Sequence, residues 1–251
     1  MKQSQFYYLL RRGLFKGASI VKEGLVMFNK FTTAGISHPA QGSASFDGSS
    51  DYIQLNTPFS YTNHTIAAWV YAEDDSATDS IFDARDGNDD GFRLVQLSGL
   101  VYYNMNTGDL TASVSENNWY FVVGTYDGTT QKLYVDGSLI SSQAISTTIS
   151  TTTGARIGAR SHTSPASYWD GNLANVAIWN RALSSDEINS VMWKGYDALE
   201  ASEKSGLQAW YSLDDVASPS ASLATMEALA VDKDATIENT AAITAAINAL
   251  S

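Results

Sequence analysis

The chain has 251 residues, of which 44% are hydrophobic and 11% aromatic, enough for one large β-sandwich with its own core. It contains no cysteine, which excludes disulfides, cysteine-based zinc sites and thiol nucleophiles. A net charge of −12 repels nucleic acid and anionic membranes, and no apolar run is long enough to span a bilayer.

The charge is unevenly placed. Residues 1–23 carry Lys2, Arg11, Arg12, Lys16 and Lys22 against Glu23 alone, whereas the other 228 residues hold ten bases and 26 acids. Residues 1–23 therefore read as a basic arm, with Arg11, Arg12 and Lys16 as candidates to dock on an acidic protein partner; the alternative is a short solvated segment. Phe6–Leu10 is too short for a signal peptide, and Arg11-Arg12 follows it rather than precedes it, so no leader is expected.

Residues 24–213 read as the sandwich. Gly24–Phe31 is a first strand and Ser43–Leu55 an opening hairpin, Ser-Ala-Ser-Phe-Asp-Gly-Ser-Ser-Asp-Tyr-Ile-Gln-Leu. Thr65–Val70 is a core strand. Turn signals recur at Asp47-Gly48, Asp90-Gly91, Gly108-Asp109, Asp127-Gly128 and Asp136-Gly137, separated by runs rich in Val, Ile, Tyr, Trp and Thr, which is the pattern of successive hairpins. Asn118–Gly128 and Lys132–Gly137 form one such pair, and Tyr134-Val135 shows the alternation of a half-buried strand. Gly154–Gly158 is a further strand. Trp169–Ile188 runs as a strand straight into a helix near 184–194, with Ser184 or Ser185 as cap and Asp186 and Glu187 in its first turn, opposing the helix dipole. Trp69, Trp119 and Trp179 lie in apolar strands and are expected in the core.

Gly206–Asp215 repeats the pattern of Gly24–Phe31. It either begins a second, truncated unit or pairs with the sheet edge. Residues 214–251 hold no aromatic residue and are rich in alanine, so they cannot build a core. Within that tail Ile243, Ile247 and Leu250 fall at helical spacing, and a helix so short needs a partner surface.

The ordered motifs from Ser43 to Trp193 resemble laminin-G-like jelly rolls of the concanavalin A-like superfamily. The Phe-Asp-Gly run, the Trp–strand–Tyr-Asp-Gly–strand–Tyr-Val-Asp-Gly pair and the closing Asn-Arg-Ala-Leu-Ser segment carry the resemblance. It implies an all-β antiparallel jelly-roll sandwich with one short helix and extended terminal arms. Such domains mostly bind or build, and similar ones are common in phage and marine bacterial proteins.

Three kinds of site are weighed. Asp86, Asn88 and Asp90 precede Gly91 at alternate positions, as in a calcium loop, but position twelve is Leu97 rather than Glu, and the same residues are ordinary turn formers. The resemblance places a calcium-binding Asp where this chain has the neutral Asn175. Calcium is therefore the one cofactor considered, and a plain turn is the preferred alternative. Catalysis is not expected: no strand carries the spaced carboxylates of a glucanase, and His38, His64 and His162 are scattered. Sugar recognition needs exposed aromatic rings beside planar polar groups; Tyr102, Tyr103 and Asn104 at a strand end, and Arg160, His162, Tyr168 and Trp169 around a Ser/Thr-rich loop, are the candidates. The expectation is a non-enzymatic structural or adhesive protein, a virion decoration or fibre subunit fastened through its termini to capsid or fibre partners. It would form a homo-oligomer and display a lectin-like sandwich to cell-surface glycans. The alternative is a secreted carbohydrate-binding or matrix-adhesion module.

Overall fold

The structure, a computed structural model, describes residues 42–55, 59, 61–74, 76–86, 90–106, 108–147, 149, 154–161 and 164–213. The arm at 1–23, the strand expected at 24–31, and residues 214–251 lie outside them.

Two antiparallel sheets face each other, and the all-β jelly-roll expectation holds. One sheet joins β1 (Ala44–Asp47), β12 (Asp170–Trp179), β3 (His64–Ala72), β8 (Trp119–Tyr126), β9 (Thr130–Val135) and β10 (Ser138–Ala144) in that order. Its seventh strand, β13 (Leu207–Tyr211), pairs with β12. The other sheet orders β2 (Ile53–Leu55), β11 (Ala155–Ile157), β4 (Asp79–Arg85), β5 (Gly91–Leu97), β6 (Leu100–Met105) and β7 (Gly108–Ser113).

Strand alternation sorts the side chains. Inward residues of both sheets, among them Ile66, Val70, Phe82, Phe92, Tyr103, Val122 and Val176, make one buried cluster between the sheets. Close approach at its centre depends on Gly124: a Cβ there would lie 2.4 Å from the Tyr103 ring. His64 is buried in the same layer, stacked on Phe92 with ring centroids 3.9 Å apart, and its Nε2 is 2.6 Å from the Tyr103 hydroxyl. Burial pushes the His64 imidazole down from 6.5 to about 3, so it stays neutral at ordinary pH.

Outward residues of the seven-stranded sheet are also apolar. Trp69, Phe121, Val123, Ala177 and Trp179 form a second cluster with Ile188, Val191 and Met192 of the helical segment that follows β12. This layer consists of α1 (Ser185–Val191), a short 3-10 turn (Tyr196–Ala198) and α2 (Ala201–Lys204). Ser184 caps α1 as expected: its Oγ accepts from the Glu187 N–H, and the Glu187 carboxylate accepts from the Ser184 N–H. Arg181 grips the same carboxylate with two bonds of 3.0 and 2.7 Å and, with the cap, holds Glu187 down at about 2. Indole groups anchor the layer, with Trp69 Nε1 donating to the Met192 carbonyl and Trp179 Nε1 to that of Glu203.

Two local expectations are corrected and one open alternative is decided. Ser43–Leu55 is a corner rather than a hairpin: β1 joins the seven-stranded sheet and β2 the six-stranded one. The Asp47 carboxylate builds the corner by accepting from the N–H groups of Ser49, Ser50 and Asp51. Burial raises its pKa, but these bonds and the Ser50 hydroxyl outweigh that and hold it well below the ordinary value. Trp119 is only half-buried, because it opens β8 at the sheet end, where its ring lies 5.5 Å from that of Tyr71 at the margin of the helix-covered cluster. The described part of Gly206–Asp215, residues 206–213, takes the sheet-edge option through β13. β13 lies along the upper half of β12 (Val176–Trp179), while β1 occupies the lower half of the same edge (Asp170–Leu173). Asn175, at φ 48°, marks the break between the halves, and its N–H donates to the Ser212 carbonyl.

Candidate ligand-binding face

The outward side of the six-stranded sheet differs from its counterpart. Successive register partners place Gln54, Arg156, Asp83, Arg93, Asn104 and Asp109 in one row across all six strands. The next row holds Ser80, Val95, Tyr102 and Thr111. No described helix joins a hydrophobic cluster on this side. Asp109 and Thr111 are exposed, Arg93, Tyr102, Arg156 and Gln54 are half-buried, and Asp83 is fully buried at the floor.

A hydrogen-bonded network sets the row. Arg156 Nε donates to Gln54 Oε1 (2.8 Å), and Arg93 Nε to Asn104 Oδ1 (2.9 Å). Arg85 forks onto Asp83, with Nη2 to Oδ2 at 2.7 Å, and the Asp83 carboxylate also accepts from the Arg85 N–H and the Ser161 hydroxyl. With its oxygens occupied in this way, Asp83 is a structural counter-ion rather than a general acid or base. The Arg156 guanidinium lies 5.3 Å over the Tyr52 ring, and Tyr52 is 6.4 Å from Tyr168. Burial draws the Arg156 pKa below its ordinary value and the neighbouring Arg160 charge adds to that, while Tyr52, Asp83 and Tyr168 oppose it. The group remains cationic at ordinary pH.

The loop from β11 to β12 closes one border. Arg160 donates its N–H to Ala166 O and receives Arg156 Nη1 on its carbonyl, and the Ser80 N–H donates to Ser167 O. Four candidates from the sequence therefore converge: Tyr102 and Asn104 on the face, Arg160 and Tyr168 on this border. Two do not. Tyr103 and Trp169 are fully buried between the sheets, so the exposure expected of both is corrected. Neighbours on a strand point to opposite faces, so Tyr102 and Tyr103 could not both be outward. Trp169 immediately precedes β12, where its side chain enters the core. His162 and Asn88 lie outside the described residues. In the candidate calcium loop the Asp86 carboxylate accepts from the Asp90 N–H, closing the β4–β5 hairpin, and among the described residues no three His, Asp or Glu side chains gather as a metal site.

Arg85, Arg93, Arg156, Gln54 and Tyr52 escaped sequence reasoning. For Arg93 and Arg156 the signal that could have found them is a single arginine between apolar neighbours in a strand, as in Phe92-Arg93-Leu94 and Ala155-Arg156-Ile157. Such a residue must face away from the core.

A family model described as the concanavalin A-like lectin/glucanases superfamily matches residues 47–189, more than half of the chain. The chain belongs to this superfamily. Among solved structures, a Bacteroides ovatus protein to which carbohydrate binding has been ascribed is similar in fold, with TM-score 0.58 and 17% identity. The match covers 72% of this chain and 53% of that one, so this superfamily member spans about half the length of that relative. A heptameric pentraxin of Limulus polyphemus is also similar, with TM-score 0.49 and 17% identity over 60% of this chain and 80% of that one. No curated protein matches. No helix among the described residues is long and apolar enough to cross a membrane.

Proposed function

We propose that this protein is a non-enzymatic carbohydrate-binding module whose ligand lies on the outward face of the six-stranded sheet. The carrying observation is the contrast between the two outward faces, one sealed by apolar packing under helices and the other lined by guanidinium, carboxamide, hydroxyl and phenol groups. Sugars need this combination: rings to stack on C–H faces and planar polar groups to pair with hydroxyls. Ascribed carbohydrate binding in the Bacteroides ovatus relative supports the reading. A binding rather than a catalytic role is supported by Asp83 being held by Arg85 and Ser161, which leaves no carboxylate pair poised for glycoside hydrolysis on the described row. The test is a glycan array probed with the full chain and with Tyr102→Ala. Glycan binding that the variant loses supports the face; a full chain that binds no glycan overturns the proposal.

The terminal segments suit attachment. Basic charge concentrated in residues 1–23 of an acidic chain favours docking on an acidic partner, and residues 214–251 lack the aromatic residues needed for a core. The proposal therefore includes fastening to capsid or fibre subunits of a virion as a homo-oligomer, with a secreted carbohydrate-binding or matrix-adhesion module as the alternative. Deleting residues 2–22 or 216–251 should leave a folded sandwich that no longer enters particles; normal incorporation of both deletions would refute attachment through the termini.

A further inference from the structure

A sheet edge presents a row of N–H and C=O groups ready to pair with another strand, and folded proteins blunt it with short strands, charges or proline. Most edges of this sandwich are blunted in that way. β2 has three residues, β1 and β13 divide one edge of the seven-stranded sheet with four and five, and β7 carries the exposed Asp109. β10 is the exception. It has seven residues, ends the order of the seven-stranded sheet among the described residues, and contains neither a charge nor a proline. It also carries Leu139 and Ile140, at 53% and 52% exposure the two exposed large hydrophobics among the described residues.

The geometry of the edge explains the exposure. Leu139 is in register with Tyr134, which belongs to the helix-covered cluster, so the apolar pair extends that cluster to the sheet margin. A bulge interrupts the ladder between Leu139 and Ser141, and both apolar side chains stand in solvent instead of alternating inward. Both ends of the strand are tied down: Asn189 Nδ2 of α1 donates to the Gly137 carbonyl, and the Ile145 N–H donates to the Thr129 carbonyl. Charge selects the occupant. Two copies, each of net charge −12, meet at least cost along a strip that sets no acid against acid. Residues 137–155 hold no charged side chain and form such a strip, on which a charged partner gains nothing. An antiparallel strand also complements its own image about a two-fold axis.

We infer that β10 is a docking edge for a second copy of this chain. The two β10 strands pair antiparallel about a two-fold axis near Ile140, which packs Leu139 and Ile140 of one copy on those of the other and continues the seven-stranded sheet across the dimer. The inference deepens the homo-oligomer part of the proposed function by naming its surface, and it stands apart from attachment through the termini. Edge pairing leaves the polar face of the six-stranded sheet open to its ligand.

Sedimentation of the full chain over a concentration series should show a monomer–dimer equilibrium, and added salt should strengthen it by screening two like net charges. A dimer held by the basic arm of one copy on an acidic surface of the other would weaken with salt instead. The double variant Leu139→Lys/Ile140→Lys sets like charges across the edge and removes the apolar contact, and should weaken the dimer by about a hundredfold or more. Both positions are exposed, so thermal melting of the monomer should be unchanged. Because the chain has no cysteine, Ile140→Cys should give a disulfide-linked dimer under mild oxidation, whereas Ser45→Cys, exposed on β1 at the opposite edge, should not. A full chain that stays monomeric over the whole series, an oligomer indifferent to the two lysines, or no cross-link through Ile140→Cys overturns the inference. An oligomer that ignores the lysines but is lost on deleting residues 2–22 would leave attachment through the termini standing while this inference falls.

Discussion

The two outward faces of the sandwich obey the same period-two alternation and end in opposite roles. On the seven-stranded sheet the outward positions are Trp69, Phe121, Val123 and Trp179, which cannot face water together and are covered by α1 and the segment after it. On the six-stranded sheet the outward positions are Arg93, Asn104, Tyr102 and Arg156, which need no cover. The first face contributes stability and the second presents chemistry, so substitutions on the two should separate cleanly into melting effects and binding effects.

The largest effect is expected at the covered face. Trp179 is fully buried, donates to the Glu203 carbonyl at 2.7 Å and packs edge-on against Trp210. Trp179→Ala should cost about 3–5 kcal/mol in denaturant unfolding. Trp119→Ala, at the half-buried sheet end, should cost clearly less; an equal loss would mean that Trp119 carries core packing after all.

Gly124→Ala should destabilise by about 1–3 kcal/mol, because the added methyl meets the Tyr103 ring inside a filled layer. Restoration of stability in the double variant Gly124→Ala/Tyr103→Leu would locate the strain in that contact.

Acid should act through the same layer. The His64 pKa is lowered in the fold, so the unfolded chain binds the proton more readily. Stability is complete above the unfolded value of 6.5 and falls as pH drops below it, by about 2 kcal/mol at pH 5. His64→Gln should flatten this slope between pH 6.5 and 5; an unchanged slope would place the sensitive group elsewhere. Glu187, held at about 2 by Arg181 and the Ser184 cap, contributes a separate loss that begins below its ordinary value of 4.5 and continues as pH falls through about 2.

Smaller still is the cap itself. Ser184→Ala should cost about 1 kcal/mol by removing the capping bond to Glu187. At the far end of the scale, Thr111→Ala on the exposed part of the polar face should shift stability by less than about 0.5 kcal/mol. A large loss there would show that the face is structural rather than a presenting surface.

Much of the fold was legible because its signals are local. Asp-Gly turns, β-branched and aromatic runs, and the Ser184–Glu187 capping pattern act over a few residues, so the hairpin β8–β9, the strands β3, β11 and β12, and α1 fall where the sequence placed them. Ser43–Leu55 misled because a Phe-Asp-Gly turn specifies a change of direction but not which sheet receives each arm; that depends on β12 and β11, more than a hundred residues away. Tyr102 and Tyr103 show the same limit at the site. Sequence says that adjacent strand residues face opposite ways, but only the packed sandwich decides that Tyr103 meets His64 and Gly124 in the core while Tyr102 faces outward. The arginine row is tertiary in the fullest sense. Gln54, Arg156, Asp83, Arg93, Asn104 and Asp109 come from six strands, and the ladder register that aligns them is set by the summed burial of inward side chains rather than by any property of the six residues themselves.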